Sequence, residues 1–238
     1  LLMFSPTSTG TSLTRQGLPY VFRNIPDNDS IGIEAAQFCE RLNWNRVMIY
    51  YLNNSYGEDL ANAFELQCGT NSVAILDRSS YENIYTLYDY SETVKSWKNN
   101  YTFDAIFIAG SMPQIAEIVS VFRDNGITQP IIGGDTFDIS TFFTIGDNGS
   151  EDNVYCVSNF NMASKNQKFI DFRNAFIKKY ECLPQNNTIK SQDITSITQN
   201  TKTSQKIKNE KSDAVIKEIL EAYKSTHPNF NLEFEDIE

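Results

Sequence analysis

Short apolar runs alternate with stretches of helical spacing between about residues 20 and 160. Residues 47–51 form an apolar run of strand length, and residues 56–68 then place apolar side chains at helical intervals. Residues 104–110 are apolar without alternation, which is typical of a parallel strand covered by helices on both faces. The pattern therefore predicts an α/β fold, a doubly wound lobe with a mainly parallel sheet.

The other elements of this lobe follow from similar signals. Strands are predicted at 72–76 and 130–135, and a short helix at 91–98. A longer helix is predicted from Pro113 to Gly126, because proline favours the first turn of a helix and glycine favours its end.

The character of the sequence changes after Tyr180. Residues 185–211 are rich in Asn, Thr, Gln, Ser and Lys and have almost no large apolar side chains, which predicts a polar linker or insertion. An apolar stripe predicts a final helix at 212–224. The acidic ending at 231–238 is predicted to be loose.

Composition and charge limit the classes of partner. The 238 residues are 40% hydrophobic and 21% charged, which is typical of a globular protein. The formal charge of −10 disfavours a nucleic acid or an anionic lipid surface as partner. No apolar run reaches the roughly 18 residues of a membrane helix, and residues 1–6 lack the basic start of a signal peptide. We therefore expect neither nucleic-acid binding nor direct membrane insertion.

The residues that usually carry catalysis or metal binding are sparse. The single histidine, His227, lies near the end of the chain, which disfavours a Ser-His-Asp or Cys-His arrangement. P-loop, dinucleotide-binding and zincin motifs are absent, and residues 147–152 have their glycine at the wrong offset for an EF-hand. We therefore expect no enzyme, no metal and no cofactor.

The cysteines are isolated in the sequence. Their wide spacing argues against a zinc site or a redox motif. Buried thiols are favoured, and two disulfides remain the alternative. The four are Cys39, Cys68, Cys156 and Cys182.

Tyr56 and Asp135 are candidate ligand-binding residues because they stand where strands of the predicted sheet end. Ligands of open α/β sheets bind beyond the carboxyl ends of the strands. A carboxylate holds an ammonium group by charge-assisted hydrogen bonds, and a tyrosine ring supplies an apolar or cation–π wall. The structural alternatives are that Asp135 caps a helix and that Tyr56 is a packed aromatic at a helix start. Asp104, at another strand end, has no identifiable partner for acid–base catalysis.

Six segments occur in a recognisable order and cover residues 1 to about 182. They are 5–9 with Leu13 and Thr14, 19–24, 55–58 after the strand at 46–51, 104–110, Gly126 with 130–135, and 154–160. In this order and spacing they resemble the branched-chain amino-acid receptors, the substrate-binding proteins of ABC transporters with the type I periplasmic-binding-protein fold.

The resemblance implies two α/β lobes that close on a ligand outside the cytoplasm and present it to a membrane permease. It implies that the loop matching Thr7, Ser8 and Thr9 takes part in holding the carboxylate and ammonium of an amino acid or related small ligand. Tyr56 would form a wall from the other lobe, and Asp135 would pair with the ammonium. Unsatisfied N–H groups at a helix start suit an anion, and ordinary helix capping is the alternative for the Thr-rich loop.

Two positions bear on which side chain the ligand carries, and they do not decide it. Many receptors of this family have an aromatic residue near the central loop of the second lobe, where this chain has Ser111 and Met112. We therefore assign both to the candidate site without deciding whether the ligand is a branched aliphatic amino acid.

The resemblance also implies a domain organisation. The family's chain begins well before residue 1, so lobe one is expected to be incomplete here. The expected parts are a remnant of lobe one at 1–19, lobe two with hinge segments at 20–160, a helix returning towards lobe one at 161–184, the linker at 185–211, and a C-terminal helix with an acidic tail at 212–238. A ligand-sensing domain of a receptor or regulator and an incomplete, non-binding fragment are the alternatives to a transport receptor.

Overall fold

The computed structural model describes residues 3–82, 90–138, 142, 152–158, 164–181 and 184. The chain divides into two compact units, Leu1–Ser164 and Lys165–Glu238. Several predictions made above lie outside the described residues: the linker, the final helix, the acidic tail, Cys182 and His227, together with residues 147–151 and 159–160.

The first unit alternates strands and helices. Its strands are β1 (Met3–Ser5), β2 (Val21–Arg23), β3 (Arg46–Leu52), β4 (Ala74–Tyr81), β5 (Ala105–Ala109), β6 (Ile131–Gly133) and β7 (Val154–Cys156). Its helices are α1 (Asn28–Arg41), α2 (Ser55–Thr70), α3 (Ser91–Asn100) and α4 (Gln114–Asp124), with short 3₁₀ turns at Thr11–Thr14 and Asp135–Phe137. The described part of the second unit contains α5 (Gln167–Tyr180).

Two parallel sheets organise the strands of the first unit. β1 pairs with β2. The larger sheet has the order β4-β3-β5-β6-β7, and every pair in it is parallel. The predicted mainly parallel sheet is therefore confirmed. The chain runs from β3 outward to β4 and then crosses back over β3 to β5, so the sheet changes its direction of growth between β3 and β5. Open α/β sheets bind ligands at the position of such a reversal.

The larger sheet is covered on both faces. Met48, Tyr50 and Leu52 of β3 pack with α3 and α4 in one core cluster. The alternate residues Val47 and Ile49 pack with α1 and α2 in the other. Successive side chains of a strand point to opposite faces, so an apolar run without alternation is what a strand between two helical layers requires.

The structure contains one helix that the sequence pattern did not predict, and several predicted elements begin or end at other residues. α1 was not predicted, because its buried side chains are mostly small and its apolar stripe is weak; they are Asn28, Ile31, Gly32, Ala35, Ala36 and Cys39. β4 begins two residues later than predicted and runs on to Tyr81. Its polar side chains hide the strand signal: Asp77 accepts a hydrogen bond of 2.6 Å from the indole nitrogen of Trp97.

Two cysteines are core residues. Cys39 and Cys68 are free thiols, fully buried between α1, α2 and the sheet. Burial raises the pKa of each thiol from 9.0 to about 12. This placement agrees with the expectation of buried thiols for these two residues. Cys156, in β7, is exposed, so the expectation of a buried thiol is wrong there.

Candidate functional site

A cavity of about 420 Å³ lies at the carboxyl edge of the larger sheet. Its walls come from the loop after β1, from the starts of α1 and α2, and from the loops after β5 and β6. They are Thr7, Ser8, Thr9, Gly10, Ser12, Asn28, Asn54, Ser55, Tyr56, Asp59, Ser111, Asp135 and Thr136. Its volume falls within the roughly 300–1,000 Å³ that is usual for small-molecule sites.

The residues that line the cavity are mostly of polar types. Its described side chains are hydroxyls, carboxamides, the Tyr56 ring and the two carboxylates of Asp59 and Asp135. Neither a lysine nor an arginine stands among these lining residues. A wall of this kind favours a cationic or dipolar guest over an anion, because two acidic groups face the same space.

Six of the seven candidate residues named from sequence line this cavity. They are Thr7, Ser8, Thr9, Tyr56, Ser111 and Asp135. Met112 is instead partly buried against the core beneath α3 and α4.

Tyr56 and Asp135 are in direct contact. The Tyr56 hydroxyl donates to Oδ1 of Asp135 at 3.1 Å, and Thr136 Oγ1 lies 3.5 Å from the same hydroxyl. Burial of the phenol, reinforced by the nearby Asp135 charge, raises the pKa of Tyr56 well above its ordinary value. Tyr56 therefore stays protonated and acts as a hydrogen-bond donor at neutral pH.

The structural alternatives for this pair account for part of the geometry. The Tyr56 ring packs against the core under α1 and α2, so the residue is also a packed aromatic at a helix start. The 3₁₀ turn that begins at Asp135 is preceded by Gly134 and has no side-chain cap. Asp135 is the first residue of that turn rather than its N-cap; it is 6% exposed and lines the cavity.

The Thr-rich loop is tied to the start of α1. The backbone N–H of Asn28 donates to the carbonyl oxygen of Thr9 at 2.8 Å. The loop continues into a 3₁₀ turn of only four residues, without a side-chain cap, rather than into a longer helix. A turn this short has little dipole, so its start does not supply the anion-binding helix end that the sequence suggested.

Arg23, at the end of β2, holds this loop in place. Its guanidinium is almost fully buried and donates to the Gly10 carbonyl at 2.8 Å and to the Thr14 hydroxyl at 3.1 Å. It also pairs with Asp27 at 3.3 Å. Arg23 lies in the segment 19–24 that contributes to the family resemblance, but the sequence pattern did not mark it as a site residue. The available signal was a single arginine at the end of a short apolar strand.

Several lining residues were missed from sequence. Asn54 caps α2, since its Oδ1 accepts from the Gly57 N–H at 2.8 Å. Asn28 is 0% exposed, and neither its Oδ1 nor its Nδ2 has a hydrogen-bond partner among the residues described. The available signal for both was a short polar residue opening a helix. The other missed positions are Gly10, Ser12, Ser55, Asp59 and Thr136.

Asp104 stands at the opposite edge of the sheet. It precedes β5, and its carboxylate accepts hydrogen bonds from the backbone N–H groups of Asn45 and Arg46 at 3.0 and 2.9 Å. The Arg46 guanidinium lies 2.8 Å away. The hydrogen bond from Arg46 holds the pKa of Asp104 below its ordinary value. Asp104 joins the starts of two strands and takes no part in the cavity.

Two further features of the described ranges concern membrane helices and metal sites. None of the helices there is long and apolar enough to cross a bilayer. The same ranges hold no group of three or more histidine, cysteine or acidic side chains placed to bind a metal ion.

The family profile described as "Receptor family ligand binding region" matches residues 1–225. Among characterised proteins, the chain is 24% identical to the Leu/Ile/Val-binding protein BraC3 of Rhizobium johnstonii over 157 residues, which is 65% of this chain and 42% of that protein. It is 23% identical to the Leu/Ile/Val-binding protein homolog 3 of Brucella melitensis over 167 residues, which is 70% of this chain and 44% of that protein. The chain thus spans less than half the length of these relatives.

Solved structures share the fold. An ABC transporter substrate-binding protein from Desulfitobacterium hafniense in complex with Leu is 31% identical, with a TM-score of 0.67 over 79% of this chain and 52% of that one. The branched-chain amino-acid transporter substrate-binding protein LivJ from Streptococcus pneumoniae, in complex with isoleucine, is 25% identical, with a TM-score of 0.71 over 88% of this chain and 60% of that one. The predicted resemblance to the substrate-binding proteins of ABC transporters is confirmed.

Proposed function

Because this chain belongs to the family of receptor ligand-binding regions, we propose that it binds an amino acid or a similar small dipolar solute in the cavity beyond the sheet. The binding takes place outside the cytoplasm, and the bound form is presented to the permease of an ABC transporter. The relatives that the chain matches are named as binding proteins rather than enzymes, and the proposed role likewise makes and breaks no bond.

The observation that supports this function is the meeting of two chemically different walls around one cavity. Thr7, Ser8 and Thr9 supply hydroxyl groups on one wall, while Tyr56 and Asp135 supply a ring and a carboxylate on another. A zwitterion needs both, since its ammonium pairs with a carboxylate and its carboxylate accepts from hydroxyl and N–H donors.

The proposed mechanism is closure around the solute. A ligand that contacts the Thr-rich loop and Asp135 together binds best when both are within reach, so it favours the closed arrangement by its differential affinity. The permease then distinguishes the closed, loaded form from the open one.

Isothermal titration calorimetry against the twenty common L-amino acids tests the proposal. We expect at least one to bind and Asp135→Asn to weaken its affinity about ten- to hundredfold, because a charge-assisted hydrogen bond is worth roughly 1.5–3 kcal/mol. Asp124→Asn, an exposed carboxylate at the end of α4, is the matched control and should bind like the wild type. Failure of all twenty amino acids to bind would contradict the function.

A ligand-sensing domain of a receptor or regulator is the second candidate. The description of the matching family favours it, since that description names receptors rather than transporters. Co-purification with a permease supports transport, whereas a signalling domain in the same polypeptide supports sensing.

A further inference from the structure

Asn28 is a buried polar side chain of the cavity to which the proposed function gives no role. It is the first residue of α1, it lines the cavity, and it is 0% exposed. Its Oδ1 and Nδ2 both lack a hydrogen-bond partner within the described parts of the chain. The backbone bond to Thr9 holds it beside the Thr-rich loop.

Helix capping does not explain this side chain. The start of α1 is already capped by Asp27, whose Oδ1 accepts from the Ser30 N–H at 3.0 Å. Asn54, at the equivalent start of α2, has its Oδ1 satisfied by Gly57. Asn28 is therefore not needed to complete its helix.

Burying a carboxamide without partners costs stability, because its donor and acceptor give up water and gain nothing in exchange. Native structures retain few such groups, and each one needs an explanation, such as a ligand, a water molecule or an ion that satisfies it. A leucine at this position has a similar branched shape and carries no desolvation penalty. That the chain has asparagine instead indicates that a partner for the carboxamide arrives with a ligand.

We propose that the Asn28 carboxamide is a direct ligand contact, in which Nδ2 donates to an oxygen of the solute and Oδ1 accepts from one of its N–H or O–H groups. This inference rests on the proposed function and adds a residue to its site. Asn28 adds a second carboxamide, beside that of Asn54, to a wall that otherwise offers mainly hydroxyls and two carboxylates. A solute that presents a donor and an acceptor together, as the ammonium and carboxylate of an amino acid do, fits this pairing.

Asn28→Leu separates a ligand contact from a structural role, because the two predict different results. We expect the ligand-free variant to melt roughly 2–8 °C higher than the wild type, since an uncompensated polar group is removed. We expect its affinity, measured by calorimetry with the twenty common L-amino acids as probes, to fall about ten- to hundredfold. Asn28→Ala, which adds no bulk, repeats the affinity measurement in case leucine does not fit.

Asn71→Ala is the matched control. Asn71 is the C-cap of α2, and its Nδ2 is likewise buried without a partner among the residues described, but it lies at the opposite end of that helix from the cavity. Its affinity should stay within about twofold of the wild type. Unchanged affinity in both Asn28 variants would overturn the inference and leave the proposed function standing. A wild-type chain that binds no probe would overturn both.

Discussion

Tyr56 combines two roles that belong to different parts of one side chain. The ring packs in the core under α1 and α2, while the hydroxyl reaches Asp135 across 79 residues of sequence. Since burial raises the pKa of this phenol, the hydroxyl remains a donor over the whole neutral range. It orients the Asp135 carboxylate without neutralising its charge.

Tyr56→Phe keeps the ring and removes the donor. We expect amino-acid affinity to fall about three- to tenfold, because the orienting hydrogen bond to Asp135 is lost. Tyr56→Ala should weaken binding further, since it also removes the wall. Calorimetry measures both, with Tyr155→Phe, a partly exposed tyrosine of β7, as control. Equal affinity of Tyr56→Phe and the wild type would show that only the ring matters.

At the scale of elements, the cavity depends on how closely α2 approaches the end of β3. A Cβ on Gly57 would overlap the Leu52 carbonyl oxygen and lie 2.9 Å from two other backbone atoms of that residue. Only glycine allows α2 to begin this close to the strand. The same start of α2 carries Asn54, Ser55 and Tyr56 into the cavity wall.

Gly57→Ala should therefore push the start of α2 away from β3. We expect a loss of about 1–3 kcal/mol in the free energy of unfolding, together with weaker ligand binding. Gly69→Ala, in the last turn of the same helix with open space around it, should instead stabilise by about 0.5–1 kcal/mol. Urea denaturation of the two variants tests this difference. The same sign of change in both would contradict the close-approach argument.

At the scale of the whole molecule, the two edges of the sheet are specialised. The carboxyl edge carries the cavity that we propose binds the solute. The amino edge carries the Asp104–Arg46 pair, which joins β5 to β3 and is satisfied within the chain. Stability is therefore expected to depend on Asp104, and binding on the opposite edge.

Asp104 should make stability depend on pH in the acid range. Its folded-state pKa lies below the ordinary 3.8, so its contribution is present above that value and is lost as pH falls through the folded pKa. We expect Asp104→Asn to cost about 1 kcal/mol at pH 7, a figure limited by solvent screening, and progressively less towards pH 3. Urea titrations at several pH values, with Asp124→Asn as control, measure this. A cost that does not change with pH would contradict the assignment.

The secondary structure of the sheet region was predictable because burial on both faces demands continuous apolar runs. β3 and β5 carry such runs, and their prediction needed no tertiary information. α1 was not predicted, because alanine, glycine and cysteine bury well against a neighbouring helix yet contribute little to an apolar pattern.

Part of the candidate site was predictable from one general rule about parallel sheets. Residues that follow the carboxyl ends of parallel strands meet at one edge, and this rule singled out Tyr56 and Asp135 from sequence. Ser111 and the Thr-rich loop came from the family resemblance, and the structure places them around the same cavity.

By itself, the sequence determined the class of fold and the edge of the sheet at which the cavity lies, because both depend on local periodicity and on where strands end. Only the tertiary structure decided that Arg23 would hold the Thr-rich loop and that the Asn28 carboxamide would find no partner in the part of the chain that the structure describes. Whether a polar side chain finds a partner depends on groups brought together from distant parts of the chain by the strand order. No local pattern contains that information.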